Sequence, residues 1–281
     1  MRMTTRQSPL ISAAELRERL DEVHVLDARW QLGRDDGYEQ HLAGHIPGAV
    51  FIDVERELSR HGEPAEGRHP LPDDTALAAS ARRWGIRSGV PVVIYDDVRM
   101  LAASRAWWAL RRAGLHDVRV LDGGWPAWLA VGGEAETGAV PTPEGDVALT
   151  SPGRAGTIDT DGVAGWPQTG VLLDARAAER YRGETEPIDP IAGHIPGARN
   201  LPIGRMLTDD GCFRPASDIA AAFDEVGVDG TIPVAAYCGS GITAAQLALA
   251  GAIVGRELTV YPGSWSAWSN TPGLPVAVGE A

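Results

Sequence analysis

The chain has 281 residues, 44% hydrophobic and 22% charged, a composition that supports packed cores rather than a disordered chain, and the length suits two domains. A net charge of −13 argues against a nucleic-acid or anionic-membrane surface, and no apolar run is long enough to span a bilayer. All 25 basic residues are arginines, and two cysteines are too few for a disulfide framework, so a cytoplasmic setting is expected.

The first twenty residues lack the long apolar segment of a secretory leader. Their pattern predicts a helix over 12–20, opened by Ser12 with Glu15 at the third helical position. Strands follow over 23–27, 90–95 and 118–121, interleaved with helices over 73–84 and 102–113. The second half repeats the plan, with strands at 171–174, 234–237 and 258–261 and helices at 216–226 and 243–252. Unbroken apolar strands alternating with helices predict an α/β fold, its sheets mainly parallel and flanked by helices on both faces. Ligands gather at the carboxyl ends of such strands.

The chain is written twice. "VLDAR" (25–29) returns as "LLDAR" (172–176), and "AGHIPGA" (43–49) returns unchanged at 192–198. "VVIYD", ending at Asp96, matches "VAAYC", ending at Cys238; "LDGGWPAW" from Leu121 matches "YPGSWSAW" from Tyr261. Matches in the same order with drifting offsets indicate two domains, expected at 8–131 and 156–279. The Gly-, Pro- and Thr-rich stretch at 132–155 is read as an exposed linker.

In "CGSGIT" the cysteine stands between an apolar strand and a helix. Gly239 and Gly241 let the backbone turn its N–H groups inward, and a helix N-terminus favours an anion there, in this case the Cys238 thiolate itself. Ser240 and Thr243 add hydroxyls. A small exposed bowl with sulfur at its base suits a nucleophile that forms a covalent intermediate. A lone cysteine otherwise packs as a small hydrophobe. A phosphatase loop would need arginine where the chain has Ala244, a P-loop needs a lysine, and a metal site would need further thiols or clustered histidines. Cys212 has no partner spacing, and most of the nine tryptophans read as core or domain-interface packing.

Together the tandem "GHIPGA", the "LDAR" strand ends, the "CGSGIT" loop and "GSWSAW" resemble the two-domain rhodanese sulfurtransferases over nearly the whole chain. The resemblance implies two rhodanese-like domains with only the second catalytic. Cys238 would take a sulfane sulfur as a persulfide and pass it to cyanide, a thiol or a thioredoxin-like protein, with no metal or cofactor. The loop Gly239, Ser240, Gly241, Ile242 and Thr243 is similar to that of 3-mercaptopyruvate sulfurtransferases, although thiosulfate stays open as donor. Arg182, in "YRG", matches the arginine that grips the donor's anionic end; the second arginine of many mercaptopyruvate enzymes is missing from "ETEPIDP". A family relay implies Ser240 with His45 and Asp36, or Asp35 in place of Asp36. Against His45 stands His194, which occupies the same motif in the second half. The reading from another class is a persulfide carrier or regulatory binding module with little free turnover.

Overall fold

A computed structural model of the chain describes residues 8–150, 153 and 156–280. The first half runs β1 (Leu10–Ile11), α1 (Ala13–Glu18), β2 (His24–Asp27), α2 (Gly37–Ala43), β3 (Val50–Phe51), α3 (Val54–Glu57), α4 (Asp74–Arg83), β4 (Val92–Tyr95), α5 (Leu101–Arg112), β5 (Val118–Leu121) and α6 (Gly124–Ala130). The second runs α7 (Thr160–Gly165), β6 (Val171–Asp174), α8 (Ala178–Tyr181), β7 (Arg199–Asn200), α9 (Ala216–Glu225), β8 (Val234–Tyr237), α10 (Ile242–Ile253), β9 (Thr259–Val260) and α11 (Ser264–Ser269). Strands pair in the orders β1-β5-β4-β2-β3 and β7-β6-β8-β9, every pair parallel. In the second sheet a single bridge from Thr157 to Val260 occupies the place that β1 fills in the first.

Local chemistry accounts for the elements. β4, β5, β6 and β8 are buried at every position, as strands covered on both faces must be. Ser12 caps α1 by accepting from Glu15 N (3.1 Å), and Asp73 caps α4 by accepting from Ala76 N (2.7 Å). The edge strands β3 and β7 and the short helices α2 and α8 carry too few residues to announce themselves by periodicity.

The repeated motifs form the scaffold. Arg29 pairs with Asp27 and donates from Nη2 to the Gly44 carbonyl (3.0 Å); Arg176 does the same to Asp174 and Gly193 (2.6 Å). The Tyr95 hydroxyl accepts from Ile46 N (3.2 Å), and the Tyr237 hydroxyl from Ile195 N (3.0 Å). Each "HIPG" loop is thereby tied to the end of its own central strand.

The stretch read as an exposed linker is exposed at most of its described positions, and it runs along the first domain, bonded to it. His45 and Glu136 form an antiparallel bridge, Gly145 N donates to Arg82 O (2.8 Å), and Thr150 N donates to Ala113 O (2.9 Å). Val147 is buried in the core. Residues 151, 152, 154 and 155 of that stretch, like the first seven of the chain, lie outside the described residues. The halves meet along α5 and α10, and one apolar cluster runs through both, from Leu26 and Trp107 to Leu249 and Val260.

Candidate active site

Cys238 stands at the carboxyl end of β8, where strand gives way to α10. Its Sγ accepts from Gly241 N (3.1 Å). Its own N–H donates to Ser264 Oγ (3.1 Å), which donates to Tyr261 O (2.8 Å), and its carbonyl accepts from Trp265 N (2.9 Å). Gly241 has φ +83°, and a Cβ there would lie 2.5 Å from Pro262 O, so the turn that presents its N–H to sulfur needs glycine. The positive end of the twelve-residue α10 faces the same point.

The expected open bowl is in fact covered: Cys238 is 2% exposed. The cover is the first domain's loop between α3 and α4. Ser240 Oγ lies 2.8 Å from His69 Nδ1, and His69 Nε2 lies 3.3 Å from Glu55 Oε1, which also accepts from Trp30 Nε1 (2.9 Å). The Glu55 carboxylate on Nε2 orients the ring so that Nδ1 faces the Ser240 hydroxyl. Hydrogen bonding to His69 holds the Glu55 carboxyl below its usual range, against partial burial.

Two arginines edge the loop. A Cβ on Gly239 would lie 3.5 Å from Arg68 Nη2 and 3.6 Å from Arg180 Nη1. Buried Asp189 bridges them, to Arg68 Nη1 at 2.8 Å and Arg180 Nη2 at 3.4 Å, and Glu186 takes a second hydrogen bond from Arg180 (2.6 Å).

Of the residues read from sequence, Cys238, Ser240 and the Gly239–Thr243 loop come together, and Arg182, His45 and Asp36 do not join them. Arg182 follows the last turn of α8 and is bound to Glu184 (2.7 Å) and Glu280 (3.5 Å). Residues two apart on a helical turn face different ways, so in "ERYRG" it is Arg180 that reaches the loop. His45 is fully buried, its Nδ1 2.8 Å from His41 O and its ring stacked on His41. His194 is held alike, with Nδ1 2.8 Å from Tyr181 O and its ring on Tyr181, which marks both histidines as scaffold. Asp36 is paired with Arg34 and accepts from Gln40 (2.9 Å), and the Arg34 hydrogen bond brings its carboxyl down to about 2. Asp35 is an exposed neighbour. Sequence reasoning missed His69, Glu55, Arg68 and Arg180. One signal was available: the loop before α4 reads "GRHPLP" where the corresponding loop before α9 reads "GCFRPA", so its arginine and histidine do not repeat.

In the first half Asp96 replaces the cysteine. Its carboxylate accepts from Val98 N (2.9 Å), Met100 N (2.8 Å) and Ala103 N (2.9 Å) at the start of α5, and burial pushes it up to about 6. Cys212, from the second domain, lies beside Gly123 at this site; burial, then Asp122, pushes its thiol up to about 11. Among the described residues no group of three His, Cys, Asp or Glu is placed to hold a metal ion, and no helix is long and apolar enough to cross a membrane.

A pair of parallel α/β domains presenting one cysteine at a helix N-terminus defines the class. The rhodanese-like domain matches the chain twice, over residues 12–131 and 160–271, and the chain belongs to the rhodanese family. It is 46% identical, over 99% of its length and 100% of the relative's, to a Mycobacterium tuberculosis protein named for thiosulfate sulfurtransferase activity. It is 35% identical to the 3-mercaptopyruvate sulfurtransferase of Escherichia coli, covering 95% of this chain and 96% of that one. An E. coli 3-mercaptopyruvate enzyme crystal structure superposes with a TM-score of 0.81 at 34% identity, covering 92% of this chain and 99% of that chain. The Leishmania major enzyme superposes at 0.84 with 28% identity, covering 96% and 77%. The protein is a sulfurtransferase.

Proposed function

We infer that the donor is 3-mercaptopyruvate and that Cys238 carries its sulfur as a persulfide. The observation behind this reading is the chain Ser240–His69–Glu55 beside the sulfur. When the thiolate attacks the donor's sulfur, the S–C3 bond breaks and its electron pair goes to C3 as the enolate of pyruvate. That carbon needs a proton, and the donor's thiol has one to give. Ser240 and His69 are in place to take the thiol proton and return it to C3, leaving pyruvate and a Cys238 persulfide anion. Thiosulfate releases sulfite without moving a proton and would leave the relay idle. The rim agrees in charge: Asp189 and Glu186 already offset Arg68 and Arg180, which suits one carboxylate better than a dianion.

The persulfide rests on the Gly241 N–H until a thiophilic acceptor removes the outer sulfur; cyanide, a small thiol and a thioredoxin-like protein all have the required chemistry, and a reducing cytoplasm would supply the last two. Intact mass after brief incubation with either donor tests the reading. The wild type should gain one sulfur from 3-mercaptopyruvate, faster than from thiosulfate, and Cys238→Ser none. No gain from either donor would favour a binding role instead.

A further inference from the structure

The first domain buries an arginine against the cysteine loop of the second. Arg105, on α5, is fully buried. Its hydrogen bonds go only to carbonyls: His69 O at 3.0 Å, Gly241 O at 3.4 Å and Leu58 O at 3.4 Å, while buried Nε has no partner. Its guanidinium also lies 5.6 Å from the Trp108 ring centroid. Among the described residues no carboxylate pairs with it. Burial pulls it down to about 10, so it is still cationic at neutral pH, and the group that opposes this is Cys238.

An isolated charge in a protein interior is strongly destabilising unless something of opposite sign completes it. The other arginines around the loop are engaged elsewhere: Arg68 and Arg180 on Asp189, and Arg180 also on Glu186. The repeat supplies an internal control. Gln246, on α10, is buried and donates from Nε2 to Arg99 O (2.5 Å), in the first domain's own strand–helix loop. Each of the two packed helices therefore sends one side chain to a loop carbonyl of the opposite domain. A neutral amide goes to the loop that holds Asp96, and a cation goes to the loop that holds the cysteine.

Building on the sulfur-transfer reading of Cys238, we propose that Arg105 is a positioning residue whose buried positive charge is the counter-ion of the sulfur anion, first thiolate and then persulfide, held in place by the non-catalytic domain. It reaches the reacting atom through the Gly241 loop and touches neither donor nor acceptor.

The test needs no donor. The rate of Cys238 alkylation by iodoacetamide is followed against pH by intact mass in a Cys212→Ser background, for Arg105, Arg105→Gln and Arg105→Lys. The amide supplied by the repeat itself should cut alkylation at neutral pH about tenfold, equivalent to one unit on the pH axis, and move the profile to higher pH. Lysine, which restores charge without the fork, should recover most of the rate. A Gln profile that superposes on the wild type, or a Lys variant as slow as the Gln one, would overturn the proposal. Arg105→Met, read against Arg105→Lys in the same way, decides the question if the amide prevents folding. Because alkylation is independent of sulfur donors, a failure here is distinct from a failure of the persulfide mass test.

Discussion

His69 and Ser240 touch at 2.8 Å across the domain boundary, and their value depends on whether the reaction moves a proton. With 3-mercaptopyruvate, His69→Gln and Ser240→Ala should each lower kcat/KM by about 100-fold, the lower end of what a positioned acid–base group contributes. With thiosulfate the same variants should stay within a few-fold of wild type. Members of one relay fail together, so the double variant should be little worse than either single one. Steady-state rates with both donors, using cyanide as acceptor, measure this directly. Equal losses with the two donors would mean that the pair only shapes the loop.

At the level of elements, the candidate site is a strand end, a tight turn and a helix start, and the chain contains that unit twice, with Cys238 in one and Asp96 in the other. Asp96 gives the consequence for pH. Its folded-state value is about 6, raised from 3.8 by burial, which its three N–H donors only partly oppose. Between those two values the folded state holds the proton more tightly than the unfolded one, so this carboxyl's contribution is complete at low pH and is lost as pH rises through about 6. The stability difference between wild type and Asp96→Ala should therefore be larger at pH 4 than at pH 7, as read from urea midpoints. A difference that grows with pH would mean the N–H groups outweigh burial. The same doubling explains what could be read from sequence. Motifs present in both halves, such as "LDAR" and "HIPG", revealed the α/β plan because each solves the same packing problem twice. Being common to both halves, they do not distinguish the half that holds Cys238 from the other, and His45 is among them. The candidate site is made of what does not repeat: Cys238 against Asp96, Arg105 against Gln246, and Arg68 and His69 against Cys212 and Phe213 in the loops that cross to the other half. Contacts between halves have no local pattern, and the choice between Arg180 and Arg182 turns on the facing of one short helix.

For the whole molecule, the question is whether two domains behave as two. Chains of this size with separate cores commonly unfold in separate steps. Here α5 packs on α10, the same apolar cluster contains residues of both sheets, and His69, Arg68 and Arg105 of one half lie on the loop of the other. Opening the interface would expose the buried faces of both helices and strand an unpaired guanidinium, so neither half gains by unfolding alone. We therefore expect one cooperative transition. Six of the nine tryptophans are in the first half and Cys238 is in the second, so fluorescence and residual activity weight the two domains differently. In urea the two should fall along one curve, coincident with the loss of helical circular dichroism. Activity lost at lower urea than fluorescence, with helix content falling in two steps, would show that the interface is weaker than its continuous core implies.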